Sequence, residues 1–161
     1  MSTANAPASQ KAPPPQWASL LELAAREVFE IMLSAKLRTI EKGPNHGFDF
    51  TSMVGFAGEL RGVLTLCCST ACAEAIAAKM LGGHTAELED QMWDALGEVT
   101  NMIAGNFKNK LSGMGARCML SVPTVITGSS YHCHSMADAG SLEVRLSFER
   151  FPVQISLEVH S

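Results

Sequence analysis

The sequence predicts one α+β domain, an antiparallel-rich sheet with a long helix and further helices packed on it. Three observations lead there. Near the C-terminus two segments alternate strictly between apolar and polar residues, and earlier in the chain a Gly-punctuated pair of apolar runs reads as a hairpin. Between them lie two consecutive stretches with helical periodicity. Strand pairs separated by consecutive helices predict an α+β sandwich. At 161 residues and 47% apolar, the chain can bury one sizeable core and gives no case for two domains.

Residues 1–16 are dominated by Ala, Pro, Ser, Gln and Lys, with Pro13, Pro14 and Pro15 in a row, and read as a disordered tail preceding a domain at 17–161. Leu20, Leu21, Ala24, Val28, Ile31, Met32 and Ala35 then recur at helical spacing, predicting a first helix that ends before Gly43-Pro44-Asn45. Phe48, Phe50, Val54 and Phe56 share one parity, and Leu64, Leu66 and Cys68 alternate beyond the turn-like Gly58-Glu59-Leu60-Arg61-Gly62. Ser69 or Thr70 suits the cap of a short helix with Ala73, Ile76, Ala77 and Met80 on one face, stopped by Gly82-Gly83. A longer helix spans about Glu89 to Leu111. Cys118, Leu120 and Val122 alternate up to Pro123, and residues 124–127 continue the extended run. After a polar loop, Leu142, Val144, Leu146 and Phe148, then Val153, Ile155, Leu157 and Val159, alternate with polar residues. This is the pattern of strands with one wet face.

A net charge of -4 and a pI of about 5.7 leave no basic stripe for a phosphate backbone, which argues against nucleic acid as a partner. No run approaches the roughly 20 apolar residues of a membrane span, and the N-terminal residues lack a charged start followed by a continuous apolar stretch, so no export is expected. Five cysteines without paired spacing fit reduced thiols, so the expected location is the cytoplasm.

Advancing roughly 100° per residue along the long helix places Met92, Leu96, Val99, Ile103 and Phe107 in one apolar sector. Asp94, Glu98, Asn101, Gly105 and Lys108 fall opposite, presenting a carboxylate and a carboxamide one turn apart to solvent. Gly105 leaves room for something to approach, at a helix-propensity cost of about 1 kcal/mol against Ala. As bare spacing, Glu98 and Asn101 are equally well read as ordinary polar residues on a wet face.

The stretch Asp94-Ala95-Leu96-Gly97-Glu98-Val99-Thr100-Asn101-Met102-Ile103-Ala104-Gly105 resembles the signature of the CheC, CheX and FliY chemotaxis phosphatases. In that pattern an Asp or Ser is followed by Glu four residues on, Asn three further, and a Pro about a strand's length later. Here Pro123 follows Asn101 by 22 positions, and Phe56-Ala57-Gly58-Glu59-Leu60-Arg61-Gly62-Val63-Leu64 also resembles the family, over roughly residues 17–160. Double-site members carry a second Glu-x-x-Asn on the first helix. The equivalent stretch here reads Glu27-Val28-Phe29-Glu30, so the chain resembles CheX with its single site.

The resemblance implies removal of phosphate from the phospho-aspartate of a CheY-type response regulator. Asn101 would align the attacking water and Glu98 would pair with the regulator's lysine, while Asp94 would orient the helix or touch the partner's rim and Pro123 would support the backbone. From the helix face itself, Gly105 is read as a place of partner approach, and Lys108 either favours the helix dipole or meets an acidic partner surface. It implies no cofactor of the chain's own, with a divalent metal such as Mg held in the regulator, and it implies a homodimer. An uncapped sheet edge is a second reason to expect pairing.

Two other readings stay open at this level. One is a non-catalytic CheX-like module that docks a regulator or flagellar component. The other is a structural dimer, which leaves Glu98, Asn101 and Gly105 unexplained. His132-Cys133-His134 reads as a polar loop, not as a zinc site or a nucleophile with its base, because no Cys-x-x-Cys pair starts a chelate.

Overall fold

The computed structural model describes residues 12–41, 47–82, 89–128, 131, 136 and 138–160. Its elements are α1 (Gln16–Leu33), β1 (Arg38–Thr39), β2 (Phe50–Gly58), β3 (Arg61–Cys68), α2 (Thr70–Met80), α3 (Glu89–Lys110), β4 (Cys118–Leu120), β5 (Thr124–Thr127), β6 (Gly140–Phe148) and β7 (Phe151–His160). A short 3-10 turn, Gly115–Arg117, leads into β4. The strands form one seven-stranded sheet in the order β1-β6-β7-β3-β2-β4, with β5 also pairing with β2, and every pairing is antiparallel. The α+β class expected from the sequence is the class observed.

Register follows the alternation. Val54 stands opposite Leu64, Leu64 opposite Leu157, and Leu142 opposite Leu157 on the far side, so the apolar parities of four strands meet on one face. The three helices cover that face, and Leu21, Phe29, Ile76, Leu96, Ile103 and Phe107 join Leu64, Leu66, Leu146 and Ile155 in a single core. Phe107 lies edge-on between Trp17 of α1 and Phe56 of β2, with ring centroids 6.0 and 6.3 Å away. The expected inward sector of the long helix, from Met92 to Phe107, is the buried one.

Helix ends follow local chemistry. Ser69 caps α2 by accepting from the Cys72 N–H at 3.1 Å, and the Asp49 carboxylate takes the Thr70 N–H and hydroxyl, each at 2.6 Å. α1 closes earlier than the sequence pattern through Ala35 implies. Ser34 adopts a left-handed φ of 49°, its N–H bonds Glu30 O, and the Ala35 N–H reaches back to Phe29 O. The Ser34 bond is the αL type of helix stop, made here without glycine.

Three further details depart from the sequence expectation. β1 was not foreseen, since two residues pairing with Ser147 and Leu146 carry no periodicity of their own. α1 starts at Gln16, within the expected tail, and Pro13 packs against Gly140. The run from Cys118 to Thr127 is two strands, not one. β4 pairs with Phe56 to Gly58 and β5 with Phe50 to Met53, and the three residues 121–123 between them stand against only Val54 and Gly55 of β2, so the run arches there while Ser121 stays bonded to Gly55.

Candidate functional site

α3 is fixed on three sides, which decides what its remaining side presents. Toward β2, the buried Ser52 hydroxyl donates to Leu96 O at 3.4 Å, and the buried Thr100 hydroxyl donates to the same oxygen at 2.7 Å. Both buried hydroxyls thereby find partners. Toward α1, Asn106 Nδ2 donates to Glu27 Oε2 at 2.7 Å and to Ala24 O at 3.3 Å, while Lys110 Nζ lies 2.7 Å from the same Glu27 oxygen. The hydrogen bonds from Lys110 and Asn106 hold the Glu27 carboxyl below its ordinary range. Toward β4, Lys108 Nζ donates to Cys118 O at 2.6 Å.

The exposed strip left over carries the sequence-predicted group. Asp94 and Glu98 are exposed, and Asn101 and Gly105 are half-buried beside them. Among the described residues, no hydrogen bond or ion pair engages the Glu98 or Asn101 side chain. A Cβ at Gly105 would meet only Leu120 Cδ1, at 3.8 Å, so the strip is open there. Lys108, expected to face a partner, is half-buried and its ammonium already has the Cys118 carbonyl.

Pro123 stands beside the strip. The arch that carries it is held by Ser121, whose N–H donates to Gly55 O at 2.9 Å and whose hydroxyl oxygen accepts the Gly55 N–H at 2.8 Å. Pro123 thereby reaches the helix at Gly97, where an added Cβ would lie 3.4 Å from the Pro123 Cβ. Trp93, Asp94, Glu98, Val122 and Pro123 wall a groove of about 410 Å³ there. Sequence reasoning missed Trp93 and misplaced Val122. Val122 shares the alternation of Cys118 and Leu120 in a run that reads as continuous, yet it is 83% exposed because the arch turns it out. For Trp93 the available signal was its position outside the apolar sector of the helix.

The family model for the chemotaxis phosphatase CheX matches residues 50–147, which span the strip, the arch and the groove. The chain belongs to the CheX chemotaxis phosphatase family. A CheX relative, the CheY-P phosphatase CheX of Thermotoga maritima, is 28% identical over 109 residues, covering 66% of this chain and 70% of its own. Among solved structures, the chemotaxis protein CheX of Desulfovibrio desulfuricans superposes with a TM-score of 0.77 at 22% identity, covering 90% of this chain and 99% of that one. The CheX chain crystallised with CheY, BeF3 and Mg2+ from Borrelia burgdorferi gives a TM-score of 0.68 at 20% identity, covering 90% and 98%. At such identities these two likenesses establish the CheX fold.

The other residues weighed in the sequence are elsewhere. His132-Cys133-His134 lies outside the described residues. Cys68, Cys72 and Cys118 are buried free thiols, and a hydrogen bond with Cys72, reinforced by burial, pushes the Cys68 thiol well up. A thiol so held is a core residue, not a nucleophile. No helix among the described residues is long and apolar enough to cross a membrane.

Proposed function

We propose that this CheX-family chain hydrolyses the phospho-aspartate of a CheY-type response regulator, with Asn101 aligning the attacking water and Glu98 pairing with the regulator's lysine. One observation carries the reading. A carboxylate and a carboxamide one turn apart, without internal partners among the described residues, stand on a helix that is otherwise immobilised on three sides. The family match, the name of the Thermotoga relative and the CheX–CheY complex from Borrelia support it.

In the reaction, water attacks phosphorus, the bond from phosphorus to the acyl oxygen breaks, and the aspartate carboxylate leaves as inorganic phosphate and a proton form. The leaving group is already good, so the helper contributes position more than acid-base power. The Asn101 amide offers both an acceptor for a water hydrogen and donors for a phosphoryl oxygen. Glu98 gains strength as an ion-pair partner once docking excludes water around it. In this reading the divalent metal and the lysine belong to the regulator.

The test is a panel of phosphorylated regulators assayed for loss of phosphate with and without the chain. On a responsive regulator, Asn101→Ala is expected to lower kcat by about 10² to 10³ while binding survives. Glu98→Ala is expected to weaken binding as well. Retention of wild-type turnover by Asn101→Ala on that regulator overturns the assignment and makes the chain a binding module.

A further inference from the structure

The groove beside the motif has features that the proposed chemistry does not use. Trp93 is 38% exposed and Val122 is 83% exposed, and both line one cleft, Trp93 from α3 and Val122 from the arch, with Asp94, Glu98 and Pro123 among its other walls. Large apolar side chains left in water singly are ordinary, but a Trp and a Val converging on one cleft are the anatomy of a contact anchor.

This cleft is also preformed. Pro123 confines Val122 to extended backbone, and Ser121 ties the arch to Gly55 through both its N–H and its hydroxyl oxygen. The same hydroxyl donates to Val122 O at 3.0 Å. On the opposite wall, Trp93 rides on α3 between the buried Met92 and Ala95. Rigid anchors lose little conformational entropy when a partner covers them.

We infer that this groove is the specificity-determining dock for the regulator: it receives an apolar side chain on Trp93 and Val122, with a neighbouring basic side chain meeting Asp94. The inference rests on the proposed phosphatase reading. Continuity names the occupant. Glu98 belongs to both the catalytic strip and the groove wall, so a receiver domain engaged by Glu98 and Asn101 already lies over the cleft. A specific interface covers about 800 Å² on each partner, far more than one helical strip, so its footprint must spread sideways from α3. On the α1 side, the side chains next to the strip are closed on each other in the Glu27–Asn106–Lys110 cluster. The arch side offers the open cleft with Trp93 and Val122 on its walls, and its acidic rim selects a basic flank.

The experiment uses the full chain and a regulator that the wild type dephosphorylates. Turnover is measured over a range of phosphorylated regulator, and binding is measured to the same regulator loaded with beryllofluoride and Mg2+. Trp93→Ala and Val122→Ser are each expected to raise KM and Kd about tenfold with kcat unchanged within about twofold, the signature of lost uniform binding. Asp94→Lys is expected to raise KM as well. Asn101→Ala gives the opposite split, so the two readings fail separately. Wild-type KM and Kd in the Trp93→Ala, Val122→Ser double variant overturn the dock while leaving the catalytic assignment intact. If the wild type accelerates no regulator, the catalytic reading falls and the dock is judged on Kd alone. Loss of a self-associated species in Trp93→Ala makes the groove a contact between copies and also overturns the dock. Both side chains are exposed, so thermal midpoints that stay at the wild-type value separate docking loss from unfolding.

Discussion

Pro123 is seated against the bare Cα of Gly97, with 3.4 Å between the Pro123 Cβ and the place a Gly97 Cβ would occupy. The contact joins the arch to the residue immediately before Glu98. An Ala methyl there makes ordinary contact, and Ala gains about 1 kcal/mol of helix propensity over Gly. Gly97→Ala is therefore expected to leave stability unchanged or raise it by up to about 1 kcal/mol. Gly97→Leu must displace Pro123, and it is expected to lower stability by about 1–3 kcal/mol through overpacking. Urea unfolding of the two variants checks the contrast, and equal losses for both reject it.

Gly105 differs from Gly97 in having space around it, with only Leu120 Cδ1 near, at 3.8 Å. Gly105→Ala is expected to stabilise the fold by about 1 kcal/mol, since nothing internal requires the glycine. If the open strip exists for a regulator's close approach, Gly105→Leu is expected to lower turnover of that regulator with no fall in melting temperature. Full turnover by Gly105→Leu removes the approach role.

Two carboxylates make the fold sensitive to acid. Arg26, with help from Thr39, lowers the pKa of Glu22, and Lys110 with Asn106 lowers that of Glu27, each from an ordinary 4.5. A folded-state pKa below the unfolded one means that the unfolded chain takes up protons first as pH falls. The contribution of each is complete above 4.5 and is lost as pH drops through the folded value. Denaturant unfolding between about pH 6 and pH 3 is expected to show falling stability, and Glu27→Gln is expected to flatten that slope. Both pairs are partly solvated, so added salt should shrink the effect. An unchanged acid slope in Glu27→Gln rejects the assignment.

Homodimerisation remains an expectation with a structural basis. Among the described residues, β1 and β5 each have one side that pairs with no strand, and Met119 and Ile126 near the β4–β5 edge are 75% and 36% exposed. Such edges add a partner strand readily. Light scattering at micromolar concentration is expected to give twice 17.2 kDa, and a constant monomer mass rejects the dimer.

Where a residue's environment is set by its own helix or strand, the sequence was sufficient. Alternation in β6 and β7 and the 3.6-residue spacing of Met92, Leu96, Val99, Ile103 and Phe107 fixed which faces are buried, because burying apolar area outweighs every other local preference. The same periodicity put Asp94, Glu98 and Asn101 outward before any neighbour was known. Contacts between elements were not legible. That Lys108 would turn to Cys118 O, that Glu27 would be bound by Asn106 and Lys110, and that β4 and β5 would part at Ser121 each depend on a residue at least 10 positions away in the chain. An extended run such as Cys118 to Thr127 looks continuous in isolation, and only the fit of Pro123 against Gly97 and the pinning of Ser121 to Gly55 make it arch and turn Val122 outward. The sequence by itself determined the α+β class, the helix bearing the motif and the side of it that meets solvent. Tertiary packing alone decided what stands beside that helix, because the groove wall comes from a distant segment whose path is set by its hydrogen bonds to β2.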